Sequence, residues 1–323
     1  MLRILVMVSL NEDEKMRLES YLFAHYMYAE TPSKEQLVNA DIIIGNPGKE
    51  QLKQCRRLKW VQLMSAGSDA YYDDPMFETV YLTNASGTYG LSVSEHMIGA
   101  LLFQFRRFKT CQAHQQQRIW ENSGEVRSID GCNVLILGLG DIGSSFAKRM
   151  HAMGAYTIGI RRHHQEKRPA YIEEQYGIEA LADVLPRCDV VALCLPKHES
   201  THHIINADML ERMKTDAVLI NVGRGSAVDT EALIKALKQK TIGGACLDVF
   251  EQEPLPQTHP LWDLDNVFLT SHCAGIWNAR ATRNRFLCLV KENLERFMKG
   301  KPLLNMVDRQ SGYRQFDEDL MFR

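Results

Sequence analysis

The chain has 323 residues, enough for two domains, and its 45% hydrophobic and 24% charged residues are ordinary for a soluble globular protein. Its formal net charge of −2 argues against a nucleic-acid or membrane-surface partner. The eight cysteines are scattered without a CxxC pair, which argues against a disulfide framework or a cysteine zinc site and is typical of reduced thiols in the cytoplasm.

The amino-terminal run MLRILVMVSL is predicted to form a first β-strand. It is too short to cross a bilayer, lacks a small-residue cleavage site and continues into acidic residues, so neither a membrane span nor a signal peptide is expected. Short Val/Ile/Leu runs then alternate with helix-like stretches, which predicts parallel βαβ units with strands buried on both faces. The predicted strands are RILVMVSL, DIIIG, WVQLM, VYLTN, NVLILGLG, YTIGI, VVALCLP, AVLINVG, IGGACLDV and VFLTS.

Two long helical stretches divide these strands into two groups. LSVSEHMIGALLFQFRRFKTCQAHQQQRIW is predicted to be one long helix that passes from one domain into another, and RATRNRFLCLVKENLERFMKG is predicted to end at Gly300. The fold class is therefore α/β, with two doubly wound parallel-sheet (Rossmann-like) domains and a cleft between them. Residues 101–287 are predicted to form an inserted domain, and residues 1–100 and 288–323 a discontinuous one.

A glycine loop follows the first strand of the inserted domain. NVLILGLGDIGSSFAKRM places Gly138, Gly140 and Gly143 in GxGxxG spacing between a predicted strand and a predicted helix. In that context the three glycines permit a tight turn, the approach of a pyrophosphate and close helix packing, in that order. The backbone N–H groups of Asp141 and Ile142 stand at the positive end of the helix, where an anion binds. The inserted domain is therefore predicted to bind a dinucleotide.

The next strand ends in TIGIRRHHQ, and this ending bears on the choice of cofactor. About 20 residues after the glycines, NAD-binding domains carry an acidic residue that binds the ribose diol. Arg161 stands there instead, followed by Arg162, His163 and His164. Arginine suits a 2′-phosphate. The sequence therefore predicts NADP(H) as the preferred cofactor, with NAD(H) possible.

Three later segments complete a recognisable pattern. They are NVGRGSAVDTEAL, GACLDVFEQEPLP and LTSHCAGIW. Together with the glycine loop, WVQLMSAGSDAYYD and NASGTYGLSVSEHMIGALL, they resemble in order and spacing the D-isomer-specific 2-hydroxyacid dehydrogenases, over nearly the whole chain. The resemblance implies a cytoplasmic, homodimeric oxidoreductase that reduces a small 2-oxo acid such as glyoxylate or hydroxypyruvate. It also implies that the discontinuous domain binds the substrate.

The resemblance further implies a role for each matching residue. Arg224 would bind the substrate carboxylate and the 2-oxo oxygen, His272 would be the acid–base group, and Glu253 would be its carboxylate partner. Glu251 is the alternative for that carboxylate, and Glu253 is preferred because it directly precedes the proline of the EP pair. The resemblance also implies that the backbone N–H groups of Ser65, Ala66 and Gly67 bind the substrate carboxylate. Asp248 would bind the nicotinamide carboxamide. The rest of the cofactor would contact Pro196, Thr201, Val222 and Ala274.

The residue types fit the implied chemistry, although two other functions stay open. Arginine binds a planar carboxylate through two parallel hydrogen bonds, and histidine exchanges a proton near neutral pH. The same fold could instead serve a non-catalytic dinucleotide sensor or co-repressor, or a formate or phosphonate dehydrogenase. The intact set of Arg224, Glu253 and His272 argues against a pure sensor.

No metal site is predicted. The four histidines that suggest one by composition are His163, His164, His202 and His203. They fall in two different segments without the spacing of metal ligands.

Overall fold

The computed structural model describes residues 1–162, 168–275, 277, 279–310, 312 and 314. The chain forms two compact units, of which one comprises Met1–Tyr89 and Trp277–Arg323 and the other Gly90–Ile276. The predicted domain boundaries at residues 101 and 288 each lie inside a helix that belongs wholly to one unit. Within the described residues, no helix has both the length and the apolarity to cross a membrane.

The first unit is built on a parallel sheet of five strands. Its elements up to residue 89 are the strands β1 (Arg3–Val6), β2 (His25–Tyr28), β3 (Ile42–Ile44), β4 (Trp60–Gln62) and β5 (Tyr81–Thr83), the helices α1 (Glu12–Glu19), α2 (Lys34–Asn39) and α3 (Lys49–Leu52), and a 3₁₀-helix at Pro75–Glu78. The strand order is β2-β1-β3-β4-β5, and every pairing is parallel. This order is one of the two common doubly wound arrangements.

The first helices begin where the sequence supplies capping residues. The Asn11 side chain accepts a hydrogen bond from the Glu14 backbone N–H at 2.9 Å, and the Glu14 carboxylate accepts one from the Asn11 N–H at 3.0 Å. Ser33 and Gln36 form the same reciprocal pair at the start of α2. These contacts satisfy backbone donors that a helix start leaves without partners, so they fix where each helix begins.

The second unit is built on a parallel sheet of seven strands. Its elements are the helices α4 (Gly90–Phe105) and α5 (Phe108–Gln117), then β6 (Asn133–Leu137), α6 (Asp141–Ala152), β7 (Tyr156–Ile160), β8 (Glu174–Tyr176), α7 (Leu181–Val184), β9 (Val190–Leu193), α8 (Ala207–Arg212), β10 (Val218–Asn221), α9 (Thr230–Lys238), β11 (Gly244–Leu247) and β12 (Val267–Leu269), with 3₁₀-helices at Ile178–Ala180, Leu185–Arg187, Glu199–Thr201, Gly225–Ala227 and Pro260–Asp263. The order β12-β11-β10-β9-β6-β7-β8 reverses direction between β6 and β9. In open parallel sheets such a reversal marks the crevice, beyond the carboxyl ends of the strands, where ligands bind.

The predicted long helix after β5 is wrong, because the structure has two helices there. The last turn of α4 closes with the Arg107 N–H bonded to the Gln104 carbonyl, and Arg107 then adopts a left-handed conformation with φ 54°. A non-glycine residue in this region breaks a right-handed helix. None of the α5 side chains is buried, and the ring contact between Phe103 and Phe108 joins only the start of α5 to α4.

The chain returns to the first unit through its longest helix, α10 (Arg280–Met298). The predicted stop at Gly300 is confirmed, since Gly300 has φ +62° directly after the helix cap. The fully buried Asn293 ties α10 to the sheet: its side chain donates to Gln62 Oε1 at 2.9 Å and accepts from the Leu304 N–H at 2.7 Å.

Candidate functional site

His272 and Glu253 form a hydrogen-bonded pair in the second unit. His272 Nδ1 lies 2.7 Å from Glu253 Oε2, and Glu253 Oε1 accepts a hydrogen bond from the Phe250 backbone N–H at 2.9 Å. An ionised carboxylate only accepts hydrogen bonds, so Nδ1 carries the proton and donates it. The His272 side chain is 53% exposed, which leaves Nε2 as the ring nitrogen available to a reacting group.

The loop that carries His272 is held in a strained conformation by Asp248. His272 has φ 51°, and this left-handed geometry costs a non-glycine residue roughly 1–2 kcal/mol. Its N–H donates to the Asp248 carbonyl at 2.8 Å, while the buried Asp248 carboxylate accepts from the N–H groups of Cys273 at 2.8 Å and Ala274 at 3.0 Å. Asp248 therefore accepts three hydrogen bonds that fix the backbone of the loop, while Glu253 holds the imidazole.

Two residues that the sequence did not single out extend this network. Thr270 Oγ1 donates to Asp248 Oδ1 at 2.6 Å and lies 3.2 Å from Nε2 of His96, which is on α4. Because the single hydroxyl proton is used on Asp248, His96 must be the donor in the second contact. Asp248 therefore supports the His272 loop, and its predicted contact with the nicotinamide stays a prediction. A polar Thr directly after strand β12 was the only sequence signal for this role.

Arg224 lies on the loop after strand β10, and this loop packs against the segment that leads to Glu253. The buried Asn221 side chain closes the loop, since it accepts from the Gly223 N–H at 3.1 Å and donates to the Arg224 carbonyl at 2.9 Å. A Cβ at Gly225 would lie only 1.9 Å from the carbonyl carbon of Phe250. Only glycine permits this approach, so position 225 brings the loop of Arg224 against the backbone that leads to Glu253.

The structure distinguishes the two candidate glutamates by their partners. Glu253 faces His272, whereas Glu251 Oε1 lies 2.7 Å from Nε2 of His203 and Glu251 Oε2 accepts from the Thr230 N–H at 3.2 Å. The geometry therefore places Glu253, and not Glu251, beside His272.

The glycine loop has the shape that a dinucleotide requires. Gly138 has φ +93°, and a Cβ on it would lie 2.8 Å from the Cys194 carbonyl oxygen. A Cβ on Gly143 would lie 1.9 Å from the Gly138 carbonyl oxygen, so the first turn of α6 packs directly on the loop. Apart from Gly140 itself and its two chain neighbours, no described atom lies within 4 Å of the position that a Cβ on Gly140 would take. The backbone at Gly140 is thus open to a pyrophosphate, and the residues present fit the cofactor.

The Asp141 carboxylate, which would repel a pyrophosphate, points at another helix. Its Oδ2 accepts a hydrogen bond from the Gly90 N–H, the first residue of α4, at 2.8 Å. A carboxylate at the amino end of α4 is favoured by the helix dipole. This hydrogen bond holds the Asp141 carboxylate at the start of α4. The N–H groups at the start of α6, including that of Ile142, therefore stay in the positive field of the helix end.

Arg161 and Arg162 follow strand β7 directly. The Arg161 side chain is buried and its Nη2 donates to the Leu139 carbonyl, inside the glycine loop, at 3.3 Å, whereas Arg162 is exposed. Burial lowers the pKa of the Arg161 guanidinium below its ordinary value. The two arginines thus differ in setting, one against the loop and one in solvent. The neighbouring His163 and His164 lie outside the described residues.

The other predicted cofactor contacts lie on the same edge of the sheet. Thr201 closes the loop after β9, because its hydroxyl donates to the Pro196 carbonyl at 2.9 Å and accepts from the His198 N–H at 3.1 Å. Val222 directly follows β10, and Ala274 is held by Asp248. Strands β6, β7, β9 and β10 are parallel neighbours, so the residues that follow them meet at one edge.

The predicted substrate loop, residues 65–67, follows β4 in the first unit. The Met64 N–H donates to Asn46 Oδ1 at 3.0 Å, and the hydroxyl of Tyr89 donates to the Met64 carbonyl at 2.5 Å. Burial raises the pKa of Tyr89 to about 12, so this hydroxyl keeps its proton. Within the part of the chain that the structure describes, no group accepts a hydrogen bond from the N–H of Ser65, Ala66 or Gly67. These three donors suit a carboxylate.

Comparisons with known proteins bear on the family and the fold. Residues 98–274 match the family model described as D-isomer specific 2-hydroxyacid dehydrogenase, NAD binding domain. The chain is 35% identical over 241 residues to a glyoxylate reductase of Korarchaeum cryptofilum, a match that covers 72% of this chain and 70% of the relative.

Two solved structures are also similar. A D-isomer specific 2-hydroxyacid dehydrogenase family protein from Aeromonas salmonicida has a TM-score of 0.86 and 30% identity, with 95% of this chain and 99% of that chain covered. An NADPH-dependent glyoxylate/hydroxypyruvate reductase from Sinorhizobium meliloti, in complex with NADP and sulfate, has a TM-score of 0.81 and 26% identity, with 97% and 100% covered.

Proposed function

This chain belongs to the D-isomer-specific 2-hydroxyacid dehydrogenase family, and we propose that it uses NADPH to reduce a small 2-oxo acid, of the size of glyoxylate or hydroxypyruvate, to the D-2-hydroxy acid. The observation that carries the proposal is the His272–Glu253 pair on segments packed beside the loop of Arg224. Two of the relatives, a glyoxylate reductase and an NADPH-dependent glyoxylate/hydroxypyruvate reductase, support the substrate class.

Each residue of the site has a separate role in the proposed reaction. The Arg224 guanidinium binds the substrate carboxylate through two parallel hydrogen bonds. His272 Nε2 donates a proton to the oxo oxygen, while Glu253 holds Nδ1 and stabilises the charged ring. The nicotinamide, when bound, supplies the hydride. Negative charge that develops on the oxygen meets Arg224 and His272 in positions set before the reaction.

The assay that tests this function is NADPH oxidation with a panel of 2-oxo acids. The purified chain is expected to oxidise NADPH in the presence of glyoxylate or hydroxypyruvate, followed by the loss of absorbance of the reduced cofactor. Formate and phosphonate, offered with NADP⁺, are expected to give no reduction. A chain that bound NADPH but oxidised it with none of the 2-oxo acids would be a sensor, and this result would contradict the proposal.

We further propose that Arg161 and Arg162 bind the 2′-phosphate of NADPH. Each charge-assisted hydrogen bond is worth roughly 1.5–3 kcal/mol before solvent screening. One effective contact therefore gives about a tenfold preference for NADPH over NADH, and two about a hundredfold. Arg161→Asp and Arg162→Asp are expected to lower the ratio of kcat/KM for NADPH to that for NADH.

The two variants separate phosphate binding from loop support. Arg161 also bonds the glycine loop through the Leu139 carbonyl, so Arg161→Asp should weaken both cofactors, but NADPH more. Arg162 is exposed, so its replacement should act on the ratio alone. A parent that favours NADH, or a ratio unchanged in both variants, would show that the arginines have another role.

A homodimer in the cytoplasm is the assembly and location that we propose. Helix α5 has no buried side chain, and Phe108 and Trp120 are 48% and 101% exposed, which suits burial against a second copy. The cysteines, all of which are free, support a reducing compartment. Light scattering on the parent is expected to give twice the chain mass, and Trp120→Arg to shift the protein toward the monomer. A monomeric parent would contradict the assembly.

A further inference from the structure

Two histidines and a glutamate form a cluster outside the network of His272. The ligand atoms of His202, His203 and Glu251 all lie within 4.8 Å of one another. His203 Nε2 is 2.7 Å from Glu251 Oε1, and the rings of His202 and His203 are stacked with their centroids 4.0 Å apart. Three ligand atoms of the types that transition metals prefer therefore lie close together.

An unusual backbone conformation creates this cluster. Side chains of successive residues in extended chain point to opposite sides, so adjacent histidines do not normally stack. Here His203 has φ 47°, in the left-handed region, and its N–H donates to the Ser226 carbonyl at 2.8 Å. A strained non-glycine residue persists only where its surroundings hold it, and such residues concentrate at functional sites. The result of the strain at His203 is that both imidazoles stand on the same side as Glu251.

The donor types of the cluster suit a divalent cation. Imidazole nitrogens and carboxylate oxygens are both common ligands of such an ion, and a cation that binds them displaces any proton that they share.

The donor set matches zinc in number, type and access. Two histidines, one carboxylate and a water in the fourth position make a common zinc arrangement. Bonds of 2.0–2.2 Å in a tetrahedron separate two ligand atoms by about 3.4 Å. The present 2.7 Å between His203 and Glu251 would have to open by about 0.7 Å, and a pair at the 4.8 Å limit of the cluster would have to close by about 1.4 Å. The His203 and Glu251 side chains are 35% and 33% exposed, so a hydrated ion can reach them.

We propose that His202, His203 and Glu251 bind one zinc ion, at a site separate from the His272–Glu253 pair. The ion would join two segments of the chain. One is the loop after β9, which Thr201 closes, and the other contains Glu251, two positions before Glu253. The spacing of the histidines along the sequence does not reveal the site because Glu251 joins it only in the fold. Zinc is favoured over magnesium because magnesium prefers ligands that are all oxygen atoms.

The experiment is a calorimetric titration of the metal-free full chain with ZnCl₂, and with MgCl₂ for comparison. We expect one zinc ion per chain and no heat of binding from magnesium. His202→Ala and Glu251→Gln each remove one ligand from an exposed position. Each is expected to weaken zinc binding by a factor of at least about ten, which corresponds to about 1.4 kcal/mol. His25→Ala, which changes an exposed histidine of the first unit, is the matched control and should bind zinc as the parent does.

Thermal unfolding provides a second readout that does not depend on catalysis. Zinc should raise the Tm of the parent and of His25→Ala, because a ligand that binds only the folded state stabilises it. The rise should be smaller in His202→Ala and in Glu251→Gln. A parent that binds no zinc at a stoichiometric site would overturn the proposal, as would equal zinc affinity in the parent and both cluster variants.

Discussion

His272→Ala is expected to lower kcat by about 10²–10⁴ while the affinity for NADPH stays close to that of the parent. In the proposed mechanism the imidazole supplies the proton, whereas the loop is held by backbone N–H groups bonded to Asp248. Alanine keeps all of these backbone contacts, so the site should lose its proton donor and little else. Steady-state kinetics with a good 2-oxo acid, together with quenching of protein fluorescence by NADPH, measure the two quantities.

Glu253→Gln tests how much the charge of the carboxylate beside His272 contributes to kcat. Glutamine keeps an oxygen that can accept from His272 Nδ1 but loses the charge that stabilises the protonated ring. Its loss of kcat should therefore be real but smaller than that of His272→Ala. Glu231→Gln, on the exposed first turn of α9, is the matched control and should behave as the parent. Near-normal turnover in His272→Ala would remove the histidine from its proposed role.

Arg224→Lys is expected to lower kcat/KM for 2-oxo acids by about 10–100-fold, although the charge is kept. Lysine offers a compact ammonium in place of the planar fork, so the paired hydrogen bonds to a carboxylate are lost. The loss of one charge-assisted hydrogen bond, roughly 1.5–3 kcal/mol, corresponds to this range. The measurement is kcat/KM for glyoxylate and for hydroxypyruvate at saturating NADPH.

The control for Arg224 is an arginine with no proposed contact to substrate. Arg212 is exposed and pairs with Asp208 one turn earlier on α8, so Arg212→Lys should leave kcat/KM unchanged. The binding of NADPH should also be unaffected by Arg224→Lys. If the two lysine variants had the same kcat/KM, Arg224 would not be the residue that holds the carboxylate.

The strands could be predicted from the sequence where both of their faces are buried. The ten predicted runs all became strands, and inner strands such as β3, β9 and β10 are buried along their whole length. The two strands that were missed, β2 and β8, each lie at one edge of a sheet and contain no buried residue. The edge strands at the opposite ends, β5 and β12, keep buried residues and were predicted. A strand without buried residues needs no apolar run and leaves no clear signal.

The candidate site was predictable to the extent that its residues lie in linked motifs. The family and the two-sheet fold are confirmed, and the motifs named Arg224, Glu253 and His272 before any geometry was known. The contacts of Thr270 and His96 join residues far apart in the chain, and no local pattern announces such pairs. The predicted cleft between the units and the residue contacts to substrate and cofactor stay predictions.

At position 272 the proposed catalytic activity and the stability of the folded chain favour different residues, because the backbone there is left-handed. Glycine adopts this conformation without a steric penalty, so a glycine there would relieve roughly 1 kcal/mol of strain. An engineering programme that ranks substitutions by stability alone would therefore favour removal of the proposed proton donor. In the proposed mechanism the same left-handed turn carries the ring that donates the proton. Thermostabilised versions of this protein should be designed with position 272 held fixed.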